Sequence, residues 1–274
     1  MHSGVARPLL RGKRIALLFY EPSTRTRVSF EFAAKLLGTH TSVIGTAGSS
    51  IEKGESLVDT GKTLQALGAD CLVVRHPSSG APNVLARNLR IPIINAGDGM
   101  HEHPSQGLLD AYTMLRHKKS LKGLKVTMVG DIQHSRVVRS NIHLLSKFGA
   151  EIVLCGPVEL LPEIAATLAP GIRITRHMED ALRKTDVIMM LRVQKERLAG
   201  LKLAAGKYVA HYQLTAERLK LAKSDAIVMH PGPLLRGMEI QGEVADSPQS
   251  VIEEQVQNGV YMRMAILTIC MGVG

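Results

Sequence analysis

At 274 residues the chain is long enough for one large or two modest domains. Hydrophobic residues make up 45% and charged residues 21%, which excludes disordered and fibrous classes. The net charge of +10 points to anionic partners, and with five Tyr, four Phe and no Trp there is little to build base-stacking platforms for single-stranded nucleic acid.

The basic residues form no long block. The densest runs, RGKR at 11–14 and HKKSLKGLK at 117–125, read as solvated surface or linker. Cys71, Cys155 and Cys270 sit far apart in apolar runs and read as core thiols of a cytoplasmic protein, not as a disulfide framework. DVIMML and MAILTICMGVG fall short of the roughly 20 apolar residues that a membrane span needs. IALLFY runs straight into polar residues without a cleavage site, so no signal peptide is expected.

In chain order, short β-rich apolar runs alternate with segments of helical period. Strands are predicted at 14–20, 40–45, 70–76 and 91–97. Helices are predicted at 25–37, where Val28, Phe32 and Leu36 recur every four residues, at 56–67 with Leu57, Leu64 and Leu67, and at 82–89. Gly38 and Gly68 stand where helix C-caps belong. A helix at 104–116 leads into the basic, glycine-marked segment 117–123, which sets a boundary between a first domain, 1–118, and a second, 119–247. The rhythm restarts with strand 125–130, helix 136–148, strands 151–156 and 172–177, helix 179–184, strand 186–192, helix 215–221 and strand 226–230. A final helix at about 248–271 presents Ile252, Val256 and Ile266 and is expected to return to the first domain. Strand and helix alternating twice over predicts an α/β fold of two doubly wound parallel-sheet domains, whose ligands bind outside the carboxyl ends of the strands.

The polar clusters follow strands, as that rule requires. In EPSTRTR, Pro22 fixes a turn, Ser23 or Thr24 serves as N-cap, and the first free N–H groups of the helix face outward together with the Arg25 guanidinium. Such an end suits a phosphate, so Ser23, Thr24, Arg25 and Thr26 are read as an anion socket and Arg27 as a structural partner of Glu31. Lys53 lies in a Gly/Ser-rich loop that by itself is a weak signal. GDIQHSR lacks the spacing of a dinucleotide fingerprint. His101 and His103 would not share a helix face, and no Cys or carboxylate cluster in the sequence completes a metal site around them and Glu102, so they read as polar loop residues. His230 either serves a site or hydrogen-bonds the following turn. No nucleophile and base pair emerges. Arginines at strand ends, Arg25, Arg75, Arg136 and Arg192, suit a reaction between anionic small molecules driven by positioning and charge stabilisation.

STRTR, HPSQ, GDIQHSR, LRVQKER and HPGP, in this order, resemble the motifs of the aspartate/ornithine carbamoyltransferases, over essentially the whole chain from residue 11. KGES, RVQKER and HPGP look like the aspartate branch, and the Ser-Met-Gly loop and His-Cys-Leu-Pro motif of the ornithine branch are absent from the sequence. The resemblance implies carbamoyl transfer from carbamoyl phosphate to the amine of L-aspartate in pyrimidine synthesis, in a cleft between the two domains, with neither metal nor organic cofactor. The first domain would bind carbamoyl phosphate and the second aspartate. Ser23, Thr24, Arg25 and Thr26 would hold the phosphate, with Arg75 bridging it to the carbonyl oxygen. Thr26 and His103 would donate to that oxygen. Gln106 and the carbonyls of Pro231 and Gly232 would hold the NH2, and Arg136, Arg192 and Gln194 the carboxylates of aspartate.

The resemblance further implies a homotrimer in which Ser49 and the catalytic Lys53 reach a neighbouring subunit's site, and a Glu55 that orients Arg25. It is compatible with a regulatory chain or another pyrimidine-pathway enzyme as partner. The family carries one or two helices ahead of the strand that begins here at Arg14, so the final helix is expected to lack a packing partner. Leu235 replaces a polar residue common in the family and is expected to alter its loop. Two other readings stay open on the residues alone: transfer to a different amine, and a basic binding protein that keeps the fold without catalysis.

Overall fold

The computed structural model describes residues 8–45, 54–193 and 204–272. They fall into two compact units, one running through Ser105 and taking in the chain from Gln257 onward, the other Gln106–Val256. The division therefore lies in the first turn of a helix, ahead of the basic segment at 117–123. Ala111 and Met114 of that helix belong to the core of the second unit.

The first unit contains β1(Arg14–Phe19), α1(Thr24–Leu36), β2(His40–Gly45), α2(Leu57–Ala66), β3(Cys71–His76), α3(Ala81–Asn88) and β4(Ile93–Asp98). All pairings are parallel and the strand order is β2-β1-β3-β4. Alternation along β1 sends Ile15, Leu17 and Phe19 to one face and Ala16 and Leu18 to the other, and each set joins its own apolar cluster. A strand buried on both faces must be apolar throughout, which is why β1 and β3 read as unbroken runs.

Helix α1 buries a different stripe from the expected one. Phe30, Ala33, Ala34 and Leu37 face the core, whereas Phe32 and Leu36 are 54% and 47% exposed. The helix carries two apolar rows at helical spacing, and the one with the small alanines lets it sit close to the sheet. Gly38 and Gly68 take φ of +80° and +88° just past α1 and α2, the left-handed conformation a helix end requires.

The second unit follows α4(Pro104–Lys118) with β5(Lys125–Val129), α5(Arg136–Lys147), β6(Glu151–Cys155), a 3-10 turn at Glu163–Leu168, β7(Arg173–Thr175), α6(Met178–Leu182) and β8(Val187–Met190). After these come α7(Ala205–Tyr212), α8(Ala216–Leu219), β9(Ile227–Met229), α9(Gly242–Ala245) and α10(Ile252–Cys270). Its sheet is parallel in the order β7-β6-β5-β8-β9.

Helix α10 enters the first unit with Leu267 fully buried in its core. Half-buried Val260, Met264 and Ile266 pack on the same core. The other fully buried side chains of the helix, Gln255, Asn258 and Arg263, are polar, and the Arg263 guanidinium stacks 5.0 Å from the Phe30 ring. Val256, expected on the apolar face, is exposed. Cys270 is exposed too, contrary to its reading as a core thiol, while burial pushes the Cys71 and Cys155 thiols up to about 12. Among the described residues, no helix is long and apolar enough to cross a membrane.

Candidate active site

The strand orders locate the ligand-binding ends. In the first sheet β2 lies to one side of β1 and β3 to the other, so the chain reverses direction at the β1/β3 pair. In the second sheet the reversal falls at β5/β8. Loops leaving the carboxyl ends on either side of such a point diverge and leave a crevice. Ser23 to Thr26, Arg136 and Arg192 follow β1, β5 and β8 in the loops and first helical turns beyond them, and Arg75 lies one residue before the end of β3, so the arginines near strand ends mark both switch points.

At the first, Ser23 is the N-cap of α1 with extended backbone (φ −160°, ψ 103°), and its hydroxyl makes no capping bond. The opening N–H groups of the helix have no intrahelical acceptor, a ready position for an anion. Thr24 and Arg25 are exposed and Thr26 is buried. Arg75 is the penultimate residue of β3 and its Nε lies 3.3 Å from Glu21. Glu31 pairs with Lys35 at 2.7 Å in place of the expected Arg27. Glu55 accepts the Thr60 hydroxyl at 2.9 Å.

The structure brings Thr26 and His103 together, with Oγ1 3.4 Å from Nε2, while Ser105 Oγ stands 3.4 Å from the other ring nitrogen. His103 is held by the turn after β4. There the buried Asp98 carboxylate accepts the N–H groups of Gly80 (2.6 Å) and Glu102 (3.1 Å) and the Asn95 amide (2.9 Å), and pairs with His101 Nδ1 (3.0 Å). Burial alone would raise the Asp98 pKa, but the bonds from Asn95, Gly80 and His101 outweigh it and hold the carboxyl below its usual range. His101 is thus a partner of Asp98, and among the described residues no three His, Cys, Asp or Glu side chains cluster as metal ligands would.

In the second unit, Gly130 leaves β5 with φ +129°, where a Cβ would stand 3.1 Å from the Leu191 carbonyl. Asp131 Oδ1 then accepts His134 through both its N–H (3.2 Å) and Nδ1 (2.8 Å), and Ser135 caps α5 by accepting the Val138 N–H at 3.3 Å. Arg136 is the first residue of that helix. Arg192 is exposed between buried Leu191 and Val193, the alternation of extended backbone.

Glu239 carries no motif that singles it out in the sequence. Fully buried, it accepts the N–H groups of Val193 (3.0 Å) and Leu235 (2.9 Å), tying the Arg192 loop to the loop after β9. Burial raises its pKa against the opposing effect of those two N–H groups and of Arg192. His230 Nδ1 accepts the Gly232 N–H at 2.9 Å, which favours the turn-holding reading of this histidine. Leu235 packs against the apolar cluster of its unit.

Gln106, buried near the start of α4, donates its amide to Asp110 Oδ1 at 2.9 Å. Asp110, one turn along, is also absent from the sequence-derived site, although its spacing from Gln106 on a helical pattern signals a shared face. Ser49, Lys53 and Gln194 lie outside the described residues.

Comparison with known proteins gives a consistent result. The family described as "Aspartate/ornithine carbamoyltransferase, carbamoyl-P binding domain" matches residues 1–116, and its "Asp/Orn binding domain" matches residues 122–270. The aspartate carbamoyltransferase catalytic subunit of Koribacter versatilis is 62% identical over 95% of this chain and 86% of its own length. An aspartate transcarbamoylase of Trypanosoma cruzi, solved with carbamoyl phosphate and aspartate, superposes with a TM-score of 0.85 at 35% identity, covering 96% of this chain and 85% of that one. The ornithine carbamoyltransferase of Pyrococcus furiosus also superposes at 0.85, with 30% identity over 97% of this chain and 87% of that one.

Proposed function

The chain belongs to the aspartate/ornithine carbamoyltransferase family, and from that premise we propose that it transfers the carbamoyl group of carbamoyl phosphate to the amine of L-aspartate, giving N-carbamoyl-L-aspartate and phosphate. The carrying observation is the 62% identity, over 95% of this chain, to an aspartate carbamoyltransferase catalytic subunit. The ornithine enzyme shares the fold at much lower identity.

In this reading Ser23, Thr24, Arg25 and Thr26 bind the phosphate at the N-terminus of α1, and Arg75 bridges it to the carbonyl oxygen. Arg136, Arg192 and Gln194 receive the aspartate carboxylates. The neutral amine attacks the carbonyl carbon and a C–N bond forms. Thr26, Arg75 and His103 stabilise the oxyanion that develops. In the tautomer in which Ser105 donates to Nδ1, the His103 ring carries its proton on Nε2, the nitrogen beside Thr26, and can donate it to the oxyanion. The C–O bond to phosphate then breaks, and the departing phosphate takes the amine proton. Gln106 and the carbonyls of Pro231 and Gly232 hold the carbamoyl NH2.

The same reading extends to a cytoplasmic homotrimer serving pyrimidine synthesis, with Ser49 and Lys53 contributed to a neighbouring subunit's site, and with a regulatory chain or another enzyme of the pathway as the partner class it would accommodate. The test is an acceptor screen with carbamoyl phosphate on the wild type and on Arg25→Ala. Aspartate should give carbamoyl-aspartate and outperform ornithine and other amines. Arg25→Ala should lose about 10²- to 10³-fold in rate. Preference for another amine would overturn the substrate assignment, and near-normal turnover of Arg25→Ala would overturn the phosphate socket.

A further inference from the structure

Within the second unit, Gln106, Asp110, Asn141 and Gln255 are all buried, with Asp110 at 0% exposure. Asp110 Oδ1 accepts Gln106 Nε2 at 2.9 Å and Gln255 Nε2 at 2.7 Å, and Oδ2 accepts Asn141 Nδ2 at 2.8 Å. Gln255 Oε1 in turn accepts the His230 N–H at 2.9 Å, immediately ahead of Pro231 and Gly232.

The amide orientations in this chain follow from donor chemistry. A backbone N–H can only donate, so His230 requires the oxygen of Gln255. The Nε2 of Gln255 is thereby turned toward Asp110, whose carboxylate can only accept. The same carboxylate draws the Nε2 of Gln106, leaving Gln106 Oε1 as the acceptor available to a ligand. Turned over, Gln106 would offer an NH2 to an NH2.

We propose that Asp110 and Gln255 are positioning residues that set the amide orientation of Gln106, and that this orientation selects an acyl phosphate bearing an NH2 on its carbonyl over one bearing a methyl group. The chain of bonds also ties Gln106 to the His230 to Gly232 turn, so the two groups assigned to the NH2 are set by one carboxylate. The proposal rests on the reading of Gln106 as the holder of that NH2.

Acetyl phosphate is the probe, since it keeps the phosphate and carbonyl and replaces NH2 by CH3. In Asp110→Asn, the KM for carbamoyl phosphate should rise about 10- to 100-fold, the worth of one or two buried hydrogen bonds. The Ki of acetyl phosphate as a competitor should change by less than about twofold, because the methyl group donates nothing to Gln106. Gln255→Met, which removes the link to His230, should shift the same ratio in the same direction by a smaller factor. In the double variant Asp110→Asn/Gln106→Glu, the amide introduced at position 110 can donate to one oxygen of the new carboxylate at position 106. The other oxygen can then accept the substrate NH2, so part of the lost discrimination should return.

If Gln106→Ala leaves discrimination between the two phosphates intact, the reading of Gln106 fails and the proposal with it. If Gln106→Ala abolishes discrimination while Gln255→Met and any folded Asp110→Asn leave it unchanged, the positioning role alone is overturned. Equal weakening of carbamoyl and acetyl phosphate in both variants would likewise reduce Asp110 to a structural part.

Discussion

Asp98 places a buried carboxylate at the carboxyl end of β4, where the N–H groups of Gly80 and Glu102 and the side chains of Asn95 and His101 converge on it. The turn it organises leads directly to His103, so its ionisation state bears on both stability and site geometry. Its folded-state pKa is lowered, because the hydrogen bonds outweigh the cost of burial. The unfolded chain therefore binds the proton more readily than the native one. Stabilisation from Asp98 is complete above the unfolded value of about 3.9 and is lost as pH falls through the lower, native value. Asp98→Asn should cost about 1–3 kcal/mol at neutral pH, since an amide cannot accept all the same donors. Its melting temperature should then fall less steeply than that of the wild type as pH drops below about 4. Thermal melts of both proteins between neutral pH and about pH 2.5 check this, and parallel acid limbs would remove Asp98 as a source of acid sensitivity.

Elements show where burial and apparent hydrophobicity part company. Leu267 and Ile269 stand two residues apart on α10, one fully buried and the other 72% exposed. Leu267→Ala should lower the unfolding free energy by about 2–5 kcal/mol through lost transfer energy and a residual cavity. Ile269→Ala should stay within about 0.5 kcal/mol, as a surface change normally does. Denaturant titration separates the two, and equal losses would mean that Ile269 is covered in the native assembly. The same contrast explains what can be read in advance. The alternation of strands and helices is legible, because parallel strands buried on both faces must be apolar runs and the intervening helices are periodic. The faces are less legible: α1 offers two apolar rows, and α10 buries Gln255, Asn258 and Arg263 where a search for apolar residues finds nothing. Helix α7 escapes a reading of the sequence because its segment, AGKYVAHY, is only eight residues long and starts without a side-chain cap, and only the fold reveals that Tyr208 and Tyr212 are buried. At the candidate site, the motif arginines announce themselves by following strands. Asp110, Gln255 and Glu239 do not, because their partners are backbone groups and amides that are mostly distant in sequence.

For the molecule as a whole, the proposed trimer makes a prediction that a self-contained subunit does not. If Lys53 serves a neighbour's site, each site needs the Arg25 socket from one chain and Lys53 from the next. Arg25→Ala and Lys53→Ala proteins should each be nearly inactive, because every site in either homotrimer lacks one group. When the two are dissociated and reassembled in equal amounts, a site is intact only where a chain with Arg25 precedes a chain with Lys53. Random mixing in a cyclic trimer gives that arrangement at about one site in four, so the mixture should recover about a quarter of wild-type specific activity. The parents, taken separately through the same dissociation and reassembly, control for spontaneous reactivation, and sedimentation of the mixture tests the trimer itself. Activity no greater than the sum of the parents, in a mixture shown to be reassembled, would place Arg25 and Lys53 in the same subunit's site and overturn the shared arrangement. The outcome also bears on the charge of the chain. With a net charge of +10, like-charged subunits repel one another, and bound anionic substrates reduce that repulsion at each site. Recovery should therefore be faster when carbamoyl phosphate is present during reassembly, and the gain should shrink as salt shortens the screening length to roughly 10 Å at 0.1 M.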